Sequence, residues 1–170
     1  MILRNWRGVL DGTVTQARWP VKEGEFPFTV GGFIIRYFAI KQPPIWEVCD
    51  HIGRTKWQVG KTYAVQPGWG QKAVGRIEIA RLRRERLQDI SEEDAKAEGA
   101  NLRNLYGMDY IPGWQSLGDD RGFTEEQRVS GLRGAFAQEW DSRYPKKYNW
   151  LENPDVWVLE FVSVKDLKGW

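Results

Sequence analysis

The sequence is poorest in the two residue types that most often carry disulfide bonds, metal ions and nucleophilic catalysis. Its 170 residues include one cysteine, Cys49, and one histidine, His51. A single cysteine excludes an internal disulfide, and a zinc site built from His and Cys needs three or four ligands. We therefore expect no disulfide, no bound metal and no cofactor.

Cys49 and His51 stand two positions apart, a spacing that puts both side chains on one face of a strand. A thiol and an imidazole placed in this way can act as nucleophile and base. Free cysteine, however, is among the most buried residue types. The sequence therefore favours a buried thiol beside a surface imidazole, with a catalytic pair as the alternative.

Long apolar runs and an excess of one charge are also missing. No segment approaches the roughly 20 apolar residues that cross a bilayer. The N-terminal stretch has scattered arginines and no small-residue cleavage site, so we expect neither a signal peptide nor an anchor, and a cytoplasmic protein. The net charge of +2 is not that of a strongly basic nucleic-acid-binding protein. Length and composition predict one soluble domain over residues 1–170.

Tryptophan is abundant, because the chain has ten of them and aromatic residues make up 14% of it. Trp140 and Trp157 are predicted to lie in the core. Trp69, Trp114 and Trp150 occur instead in segments that read as loops. Aromatics in loops beside basic residues are typical of platforms on which bases stack, and the alternative is that they close the ends of a barrel. Both interpretations remain open for Trp69, whereas closure is favoured for the other two.

Five segments are predicted to be strands from their alternation or their β-branched and aromatic residues: 12–19, 26–40, 60–66, 73–82 and 155–164. A Gly-Gly pair inside the second segment is typical of a hairpin turn. In the fourth, Ile77 and Ile79 share one face. Segment 41–48 contains two prolines and is predicted not to lie inside a central strand.

Three helices are predicted, over 2–10, 91–99 and 124–142. Ser91 is followed by three carboxylates, the pattern of an N-cap and an acidic first turn. Thr124 and Gln127 match a capping box. The order of elements lacks the strand–helix alternation of a doubly wound sheet. It predicts an α+β fold, a small mixed β-barrel with flanking helices.

Four stretches, in this order, resemble the ASCH family: 59–79, 83–99, 136–144 and 153–161. The combination of LQDISEEDAKAEG, a later W-D-S and a terminal V-W-V-x-E-F is specific. ASCH domains share the PUA-like β-barrel fold, and their relatives include readers of modified or structured RNA. The resemblance therefore implies a single ASCH/PUA-like domain, with insertions at about 20–58 and 100–122.

The first strand of the family carries a Gly-x-Lys-Thr-x-Thr-Arg type motif that lines a cleft. The residues that fit this motif here are Gly12, Thr15, Gln16 and Arg18. Val14 stands in place of the lysine, and Ala17 stands in place of the second threonine. Enzymatic members resemble amidohydrolases of N4-acetylcytidine, in which that lysine, that threonine and a helix glutamate act together. Only the glutamate carries over, as Glu98.

The favoured hypothesis is a module that binds RNA or a nucleobase in a small cleft between the first strand and the Glu98 helix. The residues expected to contact the ligand are Thr15, Gln16, Arg18, Lys61, Trp69 and Arg76, with the RLRRER run available for phosphate. Alternation places Gln16 and Arg18 on the same side as Val14, and the alternative is that they face solvent. A second hypothesis is a hydrolase of a modified nucleoside or of RNA, with Glu98 as the catalytic general base. A third is an ion pair between Glu98 and Arg18 in a protein that contacts another protein.

Overall fold

Seven strands and three α-helices make up the regular structure of the residues that the computed structural model describes, 1–29, 44–101, 110, 112 and 129–164. The strands are β1 (Gln16–Pro20), β2 (Phe26–Thr29), β3 (Ile45–Cys49), β4 (Thr55–Gln58), β5 (Thr62–Val65), β6 (Gly75–Arg86) and β7 (Asp155–Val164). The helices are α1 (Trp6–Asp11), α2 (Glu92–Ala97) and α3 (Gly131–Arg143), with a 3₁₀ turn at Leu87–Asp89. None of these helices combines the length and the apolar character that crossing a bilayer requires.

The seven strands form one sheet, whose main path runs β1-β7-β6-β3-β2. β4 pairs with β3, and β5 pairs with β6. The contacts of β3 with β2, β4 and β6, and of β5 with β6, are antiparallel. Within the described residues no pairing joins β1 to β2, so the sheet is open. The predicted mixture of α and β structure is present, but the strands do not close into a barrel, which would need its two edges to pair.

The chain divides into two compact units. Unit 1 comprises Met1–Arg84 and Trp157–Trp170, and unit 2 comprises Glu85–Val156. The division falls inside β6 and β7, near the C-terminal end of the first and the N-terminal end of the second. That residues 1–170 act as a single domain stays a prediction.

Unit 1 has its apolar core on one side of the sheet. Ile77 and Ile79 of β6 are fully buried there, as the alternation of the sequence predicts. Trp157 and Leu159 of β7 belong to the same cluster. Burying a side chain of this size contributes about 2 kcal/mol relative to leaving it in water, so this cluster is a main source of the stability of unit 1.

Unit 2 is organised around the aromatic residues of α3. Trp140 is fully buried, and its ring lies 5.8 Å from that of Phe136. The indole N–H of Trp140 donates to the carbonyl of Tyr148 at 2.6 Å. Trp150 is also buried, with its ring 6.4 Å from Phe136. The core position predicted for Trp140 is therefore confirmed. Trp150 is buried as well, but within unit 2 rather than at the end of a closed barrel, so the closure favoured for it is wrong.

β3 corrects the prediction for segment 41–48. Ile45–Cys49 is a central strand that pairs with β2, β4 and β6. The strand begins directly after Pro44, so no proline nitrogen has to donate a hydrogen bond within β3. The exclusion was right for Pro44 and wrong for the residues that follow it; Pro43 lies outside the described residues. The short strand β4, which pairs with β3, was not predicted.

The first helix is shorter at its start than predicted. Residues 1–3 do not enter α1 but lie along the end of β5, where Ile2 forms a parallel bridge with Gln66. Gln66 donates its N–H to the carbonyl of Met1 at 2.9 Å and accepts the N–H of Leu3 at 3.2 Å. Pairing with a neighbouring strand thus replaces the first helical turn. The helix ends as predicted at Gly12, which has a positive φ of 83°.

The third helix begins later than predicted. Val129 is not helical but forms an antiparallel bridge with Tyr110, and α3 starts at Gly131. Its first N–H groups are capped from elsewhere in unit 2, since the carboxylate of Glu92 accepts from Leu132 at 2.8 Å and from Arg133 at 3.3 Å. A carboxylate at this helix end satisfies unpaired N–H groups and favours the helix dipole.

Several sequence predictions lie outside the described residues. These are the Gly-Gly hairpin and the rest of segment 30–40, the capping box at Thr124 and Gln127, Trp114, and most of 100–122. The confirmed segments are β2 at Phe26–Thr29, β5, β6, β7 and α2.

We expect Glu92→Ala to lower the free energy of unfolding by about 1 kcal/mol more than Glu93→Ala does. Both residues are exposed carboxylates in the first turn of α2, so the dipole of α2 affects them alike. Only Glu92 also caps α3. Urea denaturation of the two variants measures the difference, and equal losses would show that the cap contributes nothing.

Candidate functional site

Arg18 is the charged residue that the described chain encloses most completely, with 1% of its surface exposed. Its strand neighbours Ala17 and Trp19 pack against the apolar core of unit 1. Alternation therefore places Gln16 and Arg18 on the opposite side of β1. Both residues interact with neighbouring groups. The alternative that Arg18 faces solvent is wrong.

Val14 lies on the other side from Arg18, contrary to the alternation predicted for this segment. It is buried in the core cluster together with the side chains that Ala17 and Trp19 contact. β1 begins only at Gln16, so the alternation does not extend back to Val14. The position that carries the lysine in the ASCH motif is thus part of the apolar core. Thr15, between them, has an exposed side chain, and its carbonyl accepts the N–H of Phe161 at 2.9 Å.

β6 keeps its apolar side chains on the core side through a change of phase. The buried positions of β6 are Ile77 and Ile79, which are odd-numbered, and Leu82, which is even-numbered. The alternation is therefore interrupted between these two residues. As a result, the arginines of β6 that lie away from the core are Arg76, Arg81 and Arg83.

Glu160 of β7 lies on this same side, because both of its strand neighbours belong to the core cluster. Its carboxylate contacts the guanidinium group of Arg83 and lies 3.6 Å from that of Arg81. By alternation, one side of the sheet in unit 1 therefore carries four arginines, one on β1 and three on β6. We call it the arginine face, formed by Arg18, Arg76, Arg81 and Arg83.

The arginines of this face differ in exposure. We call Arg18 the enclosed end of the face and the two exposed arginines, Arg76 and Arg81, its open end. Arg18 is enclosed, whereas the side chain of Arg83 is 19% exposed and that of Arg81 is 66% exposed. Arg76 is also exposed, and its guanidinium donates to the hydroxyl of Thr62 at 3.2 Å. The open end is the part of the face that a large anionic ligand can reach.

Trp69 lies in the hairpin loop between β5 and β6, and 91% of its surface is exposed. The loop is ordered by its own hydrogen bonds, since Gln71 donates its N–H to Gly68 at 3.3 Å and its carbonyl accepts from the Gln66 side chain at 3.0 Å. Gly70 has a φ of 68°, a conformation that suits glycine. Closure of a barrel end by Trp69 is therefore wrong. Lys61 is likewise exposed, and its carbonyl accepts the N–H of Ile79 at 3.2 Å.

Glu98 is placed by the cap that the sequence predicts. The Ser91 hydroxyl accepts the N–H of Asp94 at 3.0 Å and starts α2, and Glu98 is the C-terminal cap residue of the same helix. The Glu98 side chain is partly buried and is engaged by neighbouring groups. It belongs to unit 2, whereas the other predicted site residues belong to unit 1. That Glu98 borders the same cleft as Arg18 stays a prediction.

Glu25 is a buried carboxylate that sequence reasoning did not single out. Its side chain is 5% exposed and accepts from the ammonium of Lys56 at 2.5 Å, the indole of Trp157 at 2.8 Å and the N–H of Lys22 at 3.0 Å. Burial raises the pKa of Glu25. These hydrogen bonds and the charge of Lys56 lower the pKa by a larger amount, so the net shift is downward. The surrounding letters, KEGEF, carry no signal beyond that of a turn, because the partners are distant in sequence.

The ammonium of Lys56 also lies over an aromatic pair. It is 4.1 Å from the ring centroid of Trp57, and the rings of Trp57 and Trp19 are 5.2 Å apart. The contact with Glu25 and the ring holds this cation in place. Glu25 therefore connects the segment before β2, strand β4 and strand β7 within unit 1.

Cys49 and His51 do not form a catalytic pair. Cys49 is buried in β3, and His51 is exposed in the turn that follows. Burial raises the pKa of the Cys49 thiol, and the nearby Glu47 carboxylate, 3.6 Å from the sulfur, raises it further. A raised pKa disfavours the thiolate that nucleophilic chemistry requires. Over the described ranges, no three or more His, Cys, Asp or Glu side chains are grouped so as to hold a metal ion.

Comparison with known proteins gives structural likenesses. No protein-family model and no curated protein matches the chain. The chain is similar in structure to an ASCH domain from Lactobacillus crispatus, with 16% identity and a TM-score of 0.42 over 92% of this chain and 68% of that one. It is also similar to a DUF984 protein from Enterococcus faecalis, with 10% identity and a TM-score of 0.44 over 93% and 68% of the two chains. TM-scores in this range carry no argument about function, so the functional argument rests on motifs and geometry.

We expect Glu25→Gln to lower the free energy of unfolding by about 2 kcal/mol near neutral pH, because it removes the charge from a buried, hydrogen-bonded pair. The exposed Glu23 offers a matched control, and Glu23→Gln should change it by less than about 0.5 kcal/mol. The lowered pKa of Glu25 means that its ionised form stabilises the folded state. The advantage of the native protein over Glu25→Gln should therefore be full above about pH 5 and disappear as the pH falls through the lowered pKa. A difference that grows on acidification would contradict this account.

Proposed function

We propose that this protein is an ASCH-type module that binds RNA or an RNA nucleobase through unit 1. Trp69 is the stacking surface, and the exposed arginines of the arginine face, Arg76 and Arg81, are the phosphate contacts. The observation that carries the proposal is the 91% exposure of Trp69 in an ordered loop that leads into β6 and its exposed Arg76. The motifs that resemble the ASCH family favour the same ligand class.

The exposed position of Trp69 does little to stabilise the fold, because an indole that remains in water contributes little to stability. Trp140, Trp150 and Trp157, by contrast, are buried. An exposed ring offers a flat apolar surface to any base, and such stacking is worth about 1–3 kcal/mol per base. The flanking glycines leave both faces of the ring unobstructed by neighbouring side chains.

For Arg18 we propose a role in recognising the ligand, beyond contact with phosphate. A guanidinium is planar, keeps its charge at all physiological pH values and offers five donors in a fixed geometry. Enclosure lowers the local dielectric and strengthens each hydrogen bond it makes. In the proposal Arg18 and Gln16 contribute to recognition at the enclosed end of the face, while Thr15 and Lys61, both exposed, contribute at its border.

Binding rather than hydrolysis is proposed because of Val14. The amidohydrolase chemistry implied by the family needs a lysine at this position, and here the position is buried in the apolar core. A general base such as Glu98 can act only together with groups that activate or stabilise the reacting atoms. Turnover of N4-acylated cytidine by the native chain and not by Glu98→Gln would reverse this choice.

We expect Trp69→Ala to weaken the binding of a labelled single-stranded RNA by about tenfold, the loss of one stacked base. The matched control is Trp46→Ala, because Trp46 is also an exposed tryptophan, 45% exposed, and lies on β3. Fluorescence anisotropy of the RNA measures both affinities, with urea denaturation to check that both variants remain folded.

Equal affinities for the native chain, Trp69→Ala and Trp46→Ala would remove Trp69 from the site. Equal losses in the two variants would show a general effect of removing surface tryptophan. Recovery of a protein partner but no RNA from solution would favour the protein-interaction hypothesis instead.

A further inference from the structure

We infer that the Trp69 hairpin and the open end of the arginine face form a track for the backbone of single-stranded RNA, so that the ligand is a polymer rather than one nucleoside. This inference rests on the proposed function. It adds that the phosphates follow β6.

The hairpin leads directly into β6. Val65 of β5 pairs with Gly75 of β6, and Val74 donates its N–H to Val65 at 2.9 Å. Arg76 is the next residue after this pairing. The stacking ring of Trp69 and the first arginine of the face therefore lie at the same end of the strand.

The distance along β6 is too long for a mononucleotide. Arg76 and Arg81 are five residues apart, or at most about 16 Å at about 3.3 Å per residue, since the interruption between Ile79 and Leu82 shortens the strand. A stacked nucleic-acid strand rises about 3.4 Å per nucleotide, so the two arginines span at most about five nucleotides. A ligand that contacts both arginines, and stacks on Trp69 as well, must be an oligonucleotide.

Both arginines have donors to offer. Arg76 uses one contact, to Thr62, and Arg81 lies at 3.6 Å from Glu160 with most of its side chain in water. A guanidinium has five N–H groups, and an exposed ion pair of this length is weak. Phosphate can therefore bind without disrupting the fold.

The track carries acidic as well as basic side chains, and their positions determine where phosphates can bind. Glu78 lies on the same side of β6 between Arg76 and Arg81, and Glu160 lies beside Arg81. A continuous row of phosphates along the strand would meet these carboxylates. We therefore expect phosphates at the two arginines, with the intervening nucleotides bridging the acidic positions.

The track fits a single strand and not a duplex. The bases of A-form RNA are stacked on each other, and its deep major groove does not admit side chains. Trp69 can stack only on an exposed base face, which a duplex offers at its two ends alone. Duplex RNA is therefore expected to bind less tightly than a single strand of equal length.

The test compares RNA oligonucleotides of two, four and eight nucleotides and an eight-base-pair duplex, at several salt concentrations. The variants are Arg76→Gln and Arg81→Gln, and the control is Arg54→Gln, an exposed arginine in the turn between β3 and β4. For the octamer, each track variant should lower the slope of log affinity against log salt by about 0.7 and raise Kd about fivefold at 0.1 M salt. The loss should be smaller for the dinucleotide, and Arg54→Gln should leave the slope unchanged.

Affinity that does not increase with RNA length, tighter binding of the duplex, or equal effects of Arg54→Gln and the track variants would each overturn the track. In those cases a loss of binding in Trp69→Ala would still support the proposed function. Absence of binding to every RNA would remove the proposed function and the track with it.

Discussion

The alternation of side chains along β6 is the constraint on which the rest of unit 1 depends. One side of the strand carries Ile77, Ile79 and Leu82 into the apolar core. The other side carries arginines, which cannot enter that core without losing hydration that an apolar environment does not replace. Strands β5, β7 and β1 belong to the same sheet, which has only two faces, so their side chains are also divided between the apolar side and the side that carries the arginines.

The phase change between Ile79 and Leu82 preserves this division as far as Arg83. With unbroken alternation, Arg81 and Arg83 would point into the core and Leu82 into solvent. One interruption moves both arginines to the opposite side, where Glu160 meets them. The basic run therefore begins inside the strand, with Arg83 mostly enclosed and Arg81 mostly in water.

Two enclosed charges show how unit 1 combines burial with ionic groups. Glu25 is stabilised by three donors, and one of them, the indole of Trp157, belongs to a side chain of the core itself. Arg18 is enclosed on the opposite side of the sheet and is likewise engaged by neighbours. Removing a partner from such a group leaves a desolvated charge, which destabilises the folded state. The exposed arginines of the arginine face, Arg76 and Arg81, carry no such constraint.

The sequence by itself determined the elements whose signals are local. Ser91 and the acidic turn after it start α2, the alternation through Ile77 and Ile79 defines the two sides of β6 up to Ile79, and Gly12 ends α1, because caps, periodicity and positive φ act over a few residues. Only the tertiary structure decided the open sheet, the pairing of residues 1–3 with the end of β5, the start of α3 at Gly131 and the buried network of Glu25. Those features depend on partners far apart in the chain. The candidate site divides in the same way: motif reading found Arg18 and Trp69, but the enclosure of one and the exposure of the other follow from packing, which no local pattern encodes.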